Sequence, residues 1–208
     1  MIVYGSSLSP FVRKTLGFIA EKGLSAEHRP VVPQDPSPDF RACSPFGKIP
    51  ALCDGDYRLA DSSAICHYLE RKYPTPALFP ADVEAFGRMM WFEEFNDTVL
   101  IPAAGKVFFQ LLVRPNLLKE KPDMAVVEQA LTKDIPPVFD YLERQISGPF
   151  LVSNKLTLAD IAVHCIFVNL KLVGHPVDAA RWPKIGKYVA SLLARPTLAQ
   201  IRDQKAAA

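Results

Sequence analysis

At 208 residues the chain can hold one large or two small domains, and with 49% hydrophobic and 22% charged residues it has an ordinary globular composition. A formal net charge of +2 without a basic run offers no track for phosphates, which argues against a nucleic-acid partner. No apolar stretch is long enough to cross a bilayer, so no membrane partner is expected. The first residues enter a strand pattern with no cationic, apolar leader, which predicts no secretory signal and a cytoplasmic location.

Ile2–Tyr4 reads as a short buried strand ended by Gly5. Pro10 suits the first turn of a helix, where a missing N–H costs nothing. Val12, Leu16, Ile19 and Ala20 then recur at helical spacing until Gly23. A second strand is expected over Glu27–Val32, then a Pro33–Pro38 loop and a short helix at Asp39–Cys43. Ile49–Cys53 and Arg58–Ala60 flank Asp54-Gly55-Asp56, a hairpin turn. A helix follows from Asp61 to Tyr73. The order β-α-β-α-β-β-α is that of a thioredoxin-like α/β domain with a mixed four-stranded sheet, assigned to residues 1–76.

Residues 77–82 read as a linker stiffened by Pro80. Beyond it, residues 83–208 show only helical patterns and predict an all-α C-terminal domain. These run over Val83–Leu112, Pro122–Gln145, Thr157–Leu172, Trp182–Ala194 and Thr197–Lys205, with a frayed Ala-rich tail. Pro102 and Pro136-Pro137 should kink or interrupt two of them. Thr157-Leu158-Ala159-Asp160 is a capping box, with a folding role and a cost of about 1 kcal/mol for Thr157→Ala.

The four cysteines, Cys43, Cys53, Cys66 and Cys165, include no C-x-x-C and read as reduced and packed. The four histidines lack metal-ligand spacing, so no metal is expected.

Ser9-Pro10-Phe11, Gly47-Lys48-Ile49-Pro50 and Asp61-Ser62, in this order and spacing, resemble the cytosolic glutathione S-transferase superfamily in a serine-type, bacterial-like form. The resemblance extends over the helical half. It implies that glutathione is the co-substrate and that Ser9 stabilises its thiolate. Ser6 and Ser7 are alternatives in the same loop, and Tyr4 or a backbone N–H stays open. It also implies a cis Ile49-Pro50 bond presenting the Ile49 backbone to the cysteinyl part of glutathione. Asp61 and Ser62 would hold the γ-glutamyl end, and Lys48 the glycyl carboxylate.

The family places an apolar electrophile against aromatic side chains, for which Phe11, Trp91, Phe95 and Phe108 are the candidates; the last three lie on a stripe that could equally be core. Phe46 falls where some classes carry an aromatic key entering the second subunit of a homodimer. Arg13 and Lys14 read as surface charge. Conjugation is the implied reaction. Isomerisation, dehalogenation, peroxide reduction and a non-enzymatic binding module are the alternatives on the same fold.

Overall fold

The computed structural model describes residues 1–202. The chain divides into two compact units: Met1–Phe79 together with the described residues from Arg195, and Pro80–Ala194.

The first unit is built on a four-stranded sheet of order β2-β1-β3-β4. Strand β1 (Ile2–Tyr4) lies parallel to β2 (Glu27–Arg29) and antiparallel to β3 (Ala51–Asp54), which turns through Gly55 into β4 (Tyr57–Ala60). β2 stops at Arg29 because Pro30 brings no N–H to a ladder. β3 starts at Ala51, since Ile49-Pro50 is a cis turn ahead of the ladder.

Helix α1 (Pro10–Glu21) buries Val12, Leu16, Phe18 and Ile19 and ends where Gly23, at a φ of 66°, returns its N–H to Ala20. Helix α2 (Pro38–Cys43) sets Phe40 and Cys43 against Tyr4 and Ala51. Helix α3 (Ser62–Lys72) buries Ile65, Cys66 and Leu69.

A buried ion pair ties these helices to the segment that follows. The Lys22 ammonium lies 2.6 Å from the Glu70 carboxylate and donates to the Pro76 carbonyl, while Glu70 accepts the N–H groups of Leu78 and Phe79. The Thr75-Pro76 bond in this segment is also cis.

The cysteine expectation needs correcting. Cys43 and Cys53, with Cα atoms 6.3 Å apart, form a disulfide, and only Cys66 and Cys165 are free and buried. Ten positions separate the pair in sequence, and α2 folding down onto β3 brings them together.

The helical unit opens with α4 (Val83–Phe95), capped by the Asp82 carboxylate on the Ala85 N–H. A π-helical turn (Asn96–Leu100), α5 (Ile101–Phe108) and a second π segment (Phe109–Leu118) carry the helix past the expected end at Leu112. Helix α6 (Met124–Gln129) passes through a third π turn (Ala130–Asp134) into α7 (Ile135–Gln145). The first and third π turns immediately precede the segments that carry Pro102 and Pro136-Pro137. A proline removes one i→i−4 bond and crowds the carbonyl four residues back, and widening the turn to i→i+5 relieves both. The prolines thus modify the helices without ending them.

Helix α8 (Leu158–Leu172) is buried from Leu158 to Leu170 and forms the unit's centre. Asp160 completes the capping box: its carboxylate accepts from the Thr157 N–H and hydroxyl, the Leu151 N–H and the Tyr188 hydroxyl. Burial raises the Asp160 carboxyl above its usual range, outweighing those bonds, and burial with the neighbouring carboxylate raises Tyr188. Helix α9 (Pro183–Leu193) begins on the Glu143 carboxylate, which accepts the N–H groups of Lys184 and Ile185.

The last helix, α10 (Pro196–Arg202), belongs to the first unit, whereas the sequence boundaries assign it to the helical domain. Leu198 and Ile201 are buried, and Glu21 at the end of α1 accepts from Arg195 and from the Thr197 hydroxyl. The expected continuation to Lys205 and the frayed tail lie outside the described residues. No helix among the described residues is long and apolar enough to cross a membrane.

Candidate functional site

Three local structures meet at one end of the sheet. The first is the turn from β1 to α1. Gly5 adopts a φ of 140°, and a Cβ there would lie 2.5 Å from Val12 and 3.1 Å from Ile49. Only glycine lets this turn approach both the helix and the cis-proline loop. Ser9 is the N-cap of α1, its Oγ accepting the Val12 N–H at a long 3.4 Å. The Ser6 Oγ accepts from Leu8, and Ser7 is buried. The Tyr4 ring is buried against Phe40 and its hydroxyl accepts from Arg29.

The second is the loop from Gln34 to Pro50. Gln34 donates its backbone N–H to the Gly47 carbonyl and its side-chain amide to the Phe46 carbonyl. Arg41 bonds to the Asp35 carbonyl and the Gln34 side chain. The Ser44 hydroxyl donates to the Lys48 carbonyl at 2.7 Å, fixing the chain just before the cis Ile49-Pro50 bond. The Ile49 backbone lies beyond the β1–β3 pairing, whose last register pair is Tyr4 with Ala51.

The third is the start of α3. Asp61 has a φ of 85°, left-handed backbone that costs a non-glycine residue about 1–3 kcal/mol and clusters at functional sites. Its Oδ1 accepts the N–H groups of Ser63 and Ala64. The N–H and hydroxyl of the buried Ser62 are not used by this cap.

Lys48, Ile49, Pro50, Asp61 and Ser62 all line one cleft of about 580 Å³. Phe11 lines it too, together with Ala42–Phe46 and Arg58–Ala60. The three loop serines are not among its walls; Ser9 stands two residues before Phe11, at the amino end of α1. Trp91, Phe95 and Phe108 belong to the helical unit. There Trp91 is 46% exposed and donates its indole N–H to the Tyr141 hydroxyl, while Phe95 and Phe108 are buried. Phe95 packs on Phe92 and Tyr141, as core.

Three features escaped the sequence reading. Arg13 and Lys14, expected on the surface, are 2% and 1% exposed. The Lys14 ammonium donates to the Ser63 Oγ at 3.2 Å and lies over the Phe11 ring, adding positive charge at the start of α3. Arg58 is a cleft wall, and so is Cys43. Only the sequence position of Arg58 in a strand facing the proposed ligand loop could have marked it.

A helix amino terminus with a lysine behind it, a strand-like cis-proline edge and an acidic cap offer donors to a carboxylate, backbone groups to an extended chain and an acceptor to an ammonium. Comparison with known proteins gives the family. The glutathione S-transferase N-terminal domain matches residues 3–77, and the glutathione S-transferase C-terminal domain matches residues 112–203. Glutathione S-transferase 3 of Zea mays is 37% identical over 206 residues, covering 93% of this chain and 89% of the relative. The apo structure of glutathione S-transferase III superposes with a TM-score of 0.83 at 33% identity, covering 96% of this chain and 94% of the other. Glutathione S-transferase I from maize, in complex with an atrazine glutathione conjugate, gives 0.85 at 25% identity over 97% and 95% of the two chains. The chain belongs to the glutathione S-transferase family.

Proposed function

We propose that the protein conjugates the glutathione thiolate to an apolar electrophile, and that the cleft is its glutathione site. The observation that carries this reading is the convergence of Lys48, Ile49, Pro50, Asp61 and Ser62 on one cleft at the amino end of α3. Each group has a complementary part of the tripeptide. The γ-glutamyl carboxylate is held by the Ser62 N–H and hydroxyl at the helix terminus, with Lys14 adding charge behind Ser63. The α-ammonium goes to the Asp61 carboxylate. The cysteinyl backbone pairs with Ile49, and the Lys48 ammonium meets the glycyl carboxylate.

This arrangement leaves the sulfur for Ser9. A thiol of pKa about 8.5 must be lowered by roughly two units to be mostly ionised at neutral pH, about 2.7 kcal/mol of preferential thiolate binding. A hydroxyl donor contributes roughly 1.5–3 kcal/mol and the amino end of α1 about 0.3–1 kcal/mol. Ser9 supplies both. Its bond to Val12 uses the oxygen as acceptor, so the hydroxyl hydrogen stays available to the sulfur. The thiolate then attacks the electrophilic carbon, and no step calls on a metal. Phe11 in the cleft wall is the proposed aromatic contact for the electrophile.

Phe46 is 81% exposed on the ordered loop, and a ring so placed gains from a cover. We assign it as the anchor of a homodimer working in the cytoplasm, where its co-substrate is kept reduced.

Calorimetry with glutathione tests the site. Wild-type protein binds, and Ser62→Ala loses most of the affinity. Absence of binding at millimolar glutathione by the wild type overturns the reading.

A further inference from the structure

The conjugation chemistry makes no use of the Cys43–Cys53 disulfide, yet its position is specific. Cys43 ends α2 and lines the cleft; Cys53 lies in β3. The chain between them, from Ser44 to Leu52, carries Lys48, Ile49 and Pro50. The bond therefore closes a loop around one whole wall of the proposed glutathione site. The Cα separation of 6.3 Å lies within the range that a disulfide spans, so the bond closes without backbone movement. Outside this bond, α2 meets the sheet through Phe40, clustered with Tyr4 and Ala51, while Arg41 bonds to the loop ahead of the helix.

We propose that Cys43 and Cys53 form a thiol–disulfide exchange site for glutathione, whose state sets the affinity of the adjacent cleft. This rests on the glutathione reading of that cleft. Cys53 is half-buried and Cys43 buried, which makes the Cys53 sulfur the one to be attacked. A glutathione thiolate attacks it, the Cys43–Cys53 bond breaks, and a mixed disulfide forms between glutathione and Cys53. Cys43 leaves as thiolate and takes a proton. A second glutathione thiolate attacks the glutathione sulfur of the mixed disulfide, releasing glutathione disulfide and the Cys53 thiolate, which is protonated in turn. Two glutathione molecules lose two electrons, and the protein disulfide gains them as two thiols. Glutathione disulfide reverses the sequence. With the bond closed, the Ser44–Leu52 loop is pre-organised for its ligand; with it open, part of the binding free energy goes into ordering the loop.

The test uses the full chain oxidised with glutathione disulfide, or reduced with a phosphine and desalted. Thiols are counted after denaturation. S-methylglutathione, which has no free thiol and cannot exchange, is the calorimetric probe. The expected result is two thiols in the oxidised protein and four in the reduced one, with S-methylglutathione bound about three- to thirtyfold more weakly by the reduced form. Excess glutathione added to oxidised protein gives a mixed disulfide at Cys53 by mass spectrometry. Cys53→Ala matches the reduced wild type and no longer responds to reductant. Four thiols after oxidation, or equal affinity in both wild-type states, overturns the proposal and leaves the glutathione site standing. No binding of S-methylglutathione in either state overturns the glutathione reading and the coupling with it.

Discussion

Helices α3 and α8 both carry an aspartate and a hydroxyl residue at their entrance, and the two caps differ in burial. At the start of α8, Asp160 is wholly buried and its carboxylate is saturated by donors from Thr157, Leu151 and Tyr188. At the start of α3, Asp61 is exposed, holds a left-handed backbone, and spends one oxygen on two N–H groups. The sequence signals are close to interchangeable: a short polar side chain, then an acidic or hydroxyl partner at a helix entrance. What separates them is solvent. A buried cap has every partner supplied by the chain and fixes a fold; an open one keeps bonding capacity for a ligand.

The contrast can be broken most forcefully at the buried end. Asp160→Ala leaves the Leu151 and Thr157 N–H groups and the Tyr188 hydroxyl without their acceptor, and should lower the unfolding free energy by about 3–5 kcal/mol. Urea denaturation measures this. Equal stability of the variant would mean that the cap at α8 is as dispensable as an open one.

Ser9 tests whether a third capping residue, at the start of α1, works on a ligand. Ser9→Ala should slow conjugation of a model electrophile by about ten- to a thousandfold, one charge-assisted bond of roughly 1.5–3 kcal/mol. Because the bound thiol then ionises at higher pH, the acidic limb of the pH–rate profile should move upward. Ser6→Ala and Ser7→Ala are the controls; collapse in either, with Ser9→Ala fully active, transfers the role to that serine.

At the open cap, Asp61→Ala should weaken S-methylglutathione binding by about tenfold while costing only about 1 kcal/mol of stability. Asp61→Gly accommodates the positive φ and should recover stability but not affinity. Recovery of both would make the residue purely a backbone device.

The smallest effect is expected in the Asp54–Lys72 pair, a surface contact of the first unit at 2.6 Å. The bond from Lys72, aided by Tyr68, holds the Asp54 carboxyl below the usual range. Its folded pKa is thus below the unfolded one. The stabilisation is complete above the unfolded value and is lost as pH falls through the folded one. Asp54→Asn should flatten the acid limb of the stability profile slightly, as an exposed pair allows. Unfolding curves between pH 3 and 6, on the order of one unit either side of the carboxylate range, check it.

The contrast between the caps also explains what could be read from the chain alone. The first unit was legible because its punctuation is local. Pro10 fixes its own φ, and Gly5, Gly23 and Gly55 permit the positive φ at which a strand or helix ends or turns; Pro30 was overlooked, since the second strand was expected to run on to Val32 and stops at Arg29. The cis bond at Ile49-Pro50 followed from the resemblance. Burial was not legible. Arg13 and Lys14 look like solvated charges until the helix face they occupy is known. The Lys22–Glu70 pair joins two helices whose pairing depends on the whole sheet. Cys43 and Cys53 carry no spacing signature, because a folded loop brings them together. In the helical unit the prolines were visible, but their accommodation by π turns was not, since an i→i+5 shift leaves no mark on composition.

The seating of α10 has one more consequence. Since the chain leaves the first unit at Phe79 and rejoins it at Arg195, the helical unit is an insertion within its neighbour. No single cut separates the two. Expression of the first 79 residues alone would leave the α1 surface that receives Leu198 and Ile201 bare and the Glu21 carboxylate without Arg195. A chimera that exchanges the helical unit needs two junctions, one on each side of the cassette, and a swap made only at the first would replace part of the first unit's own packing as well.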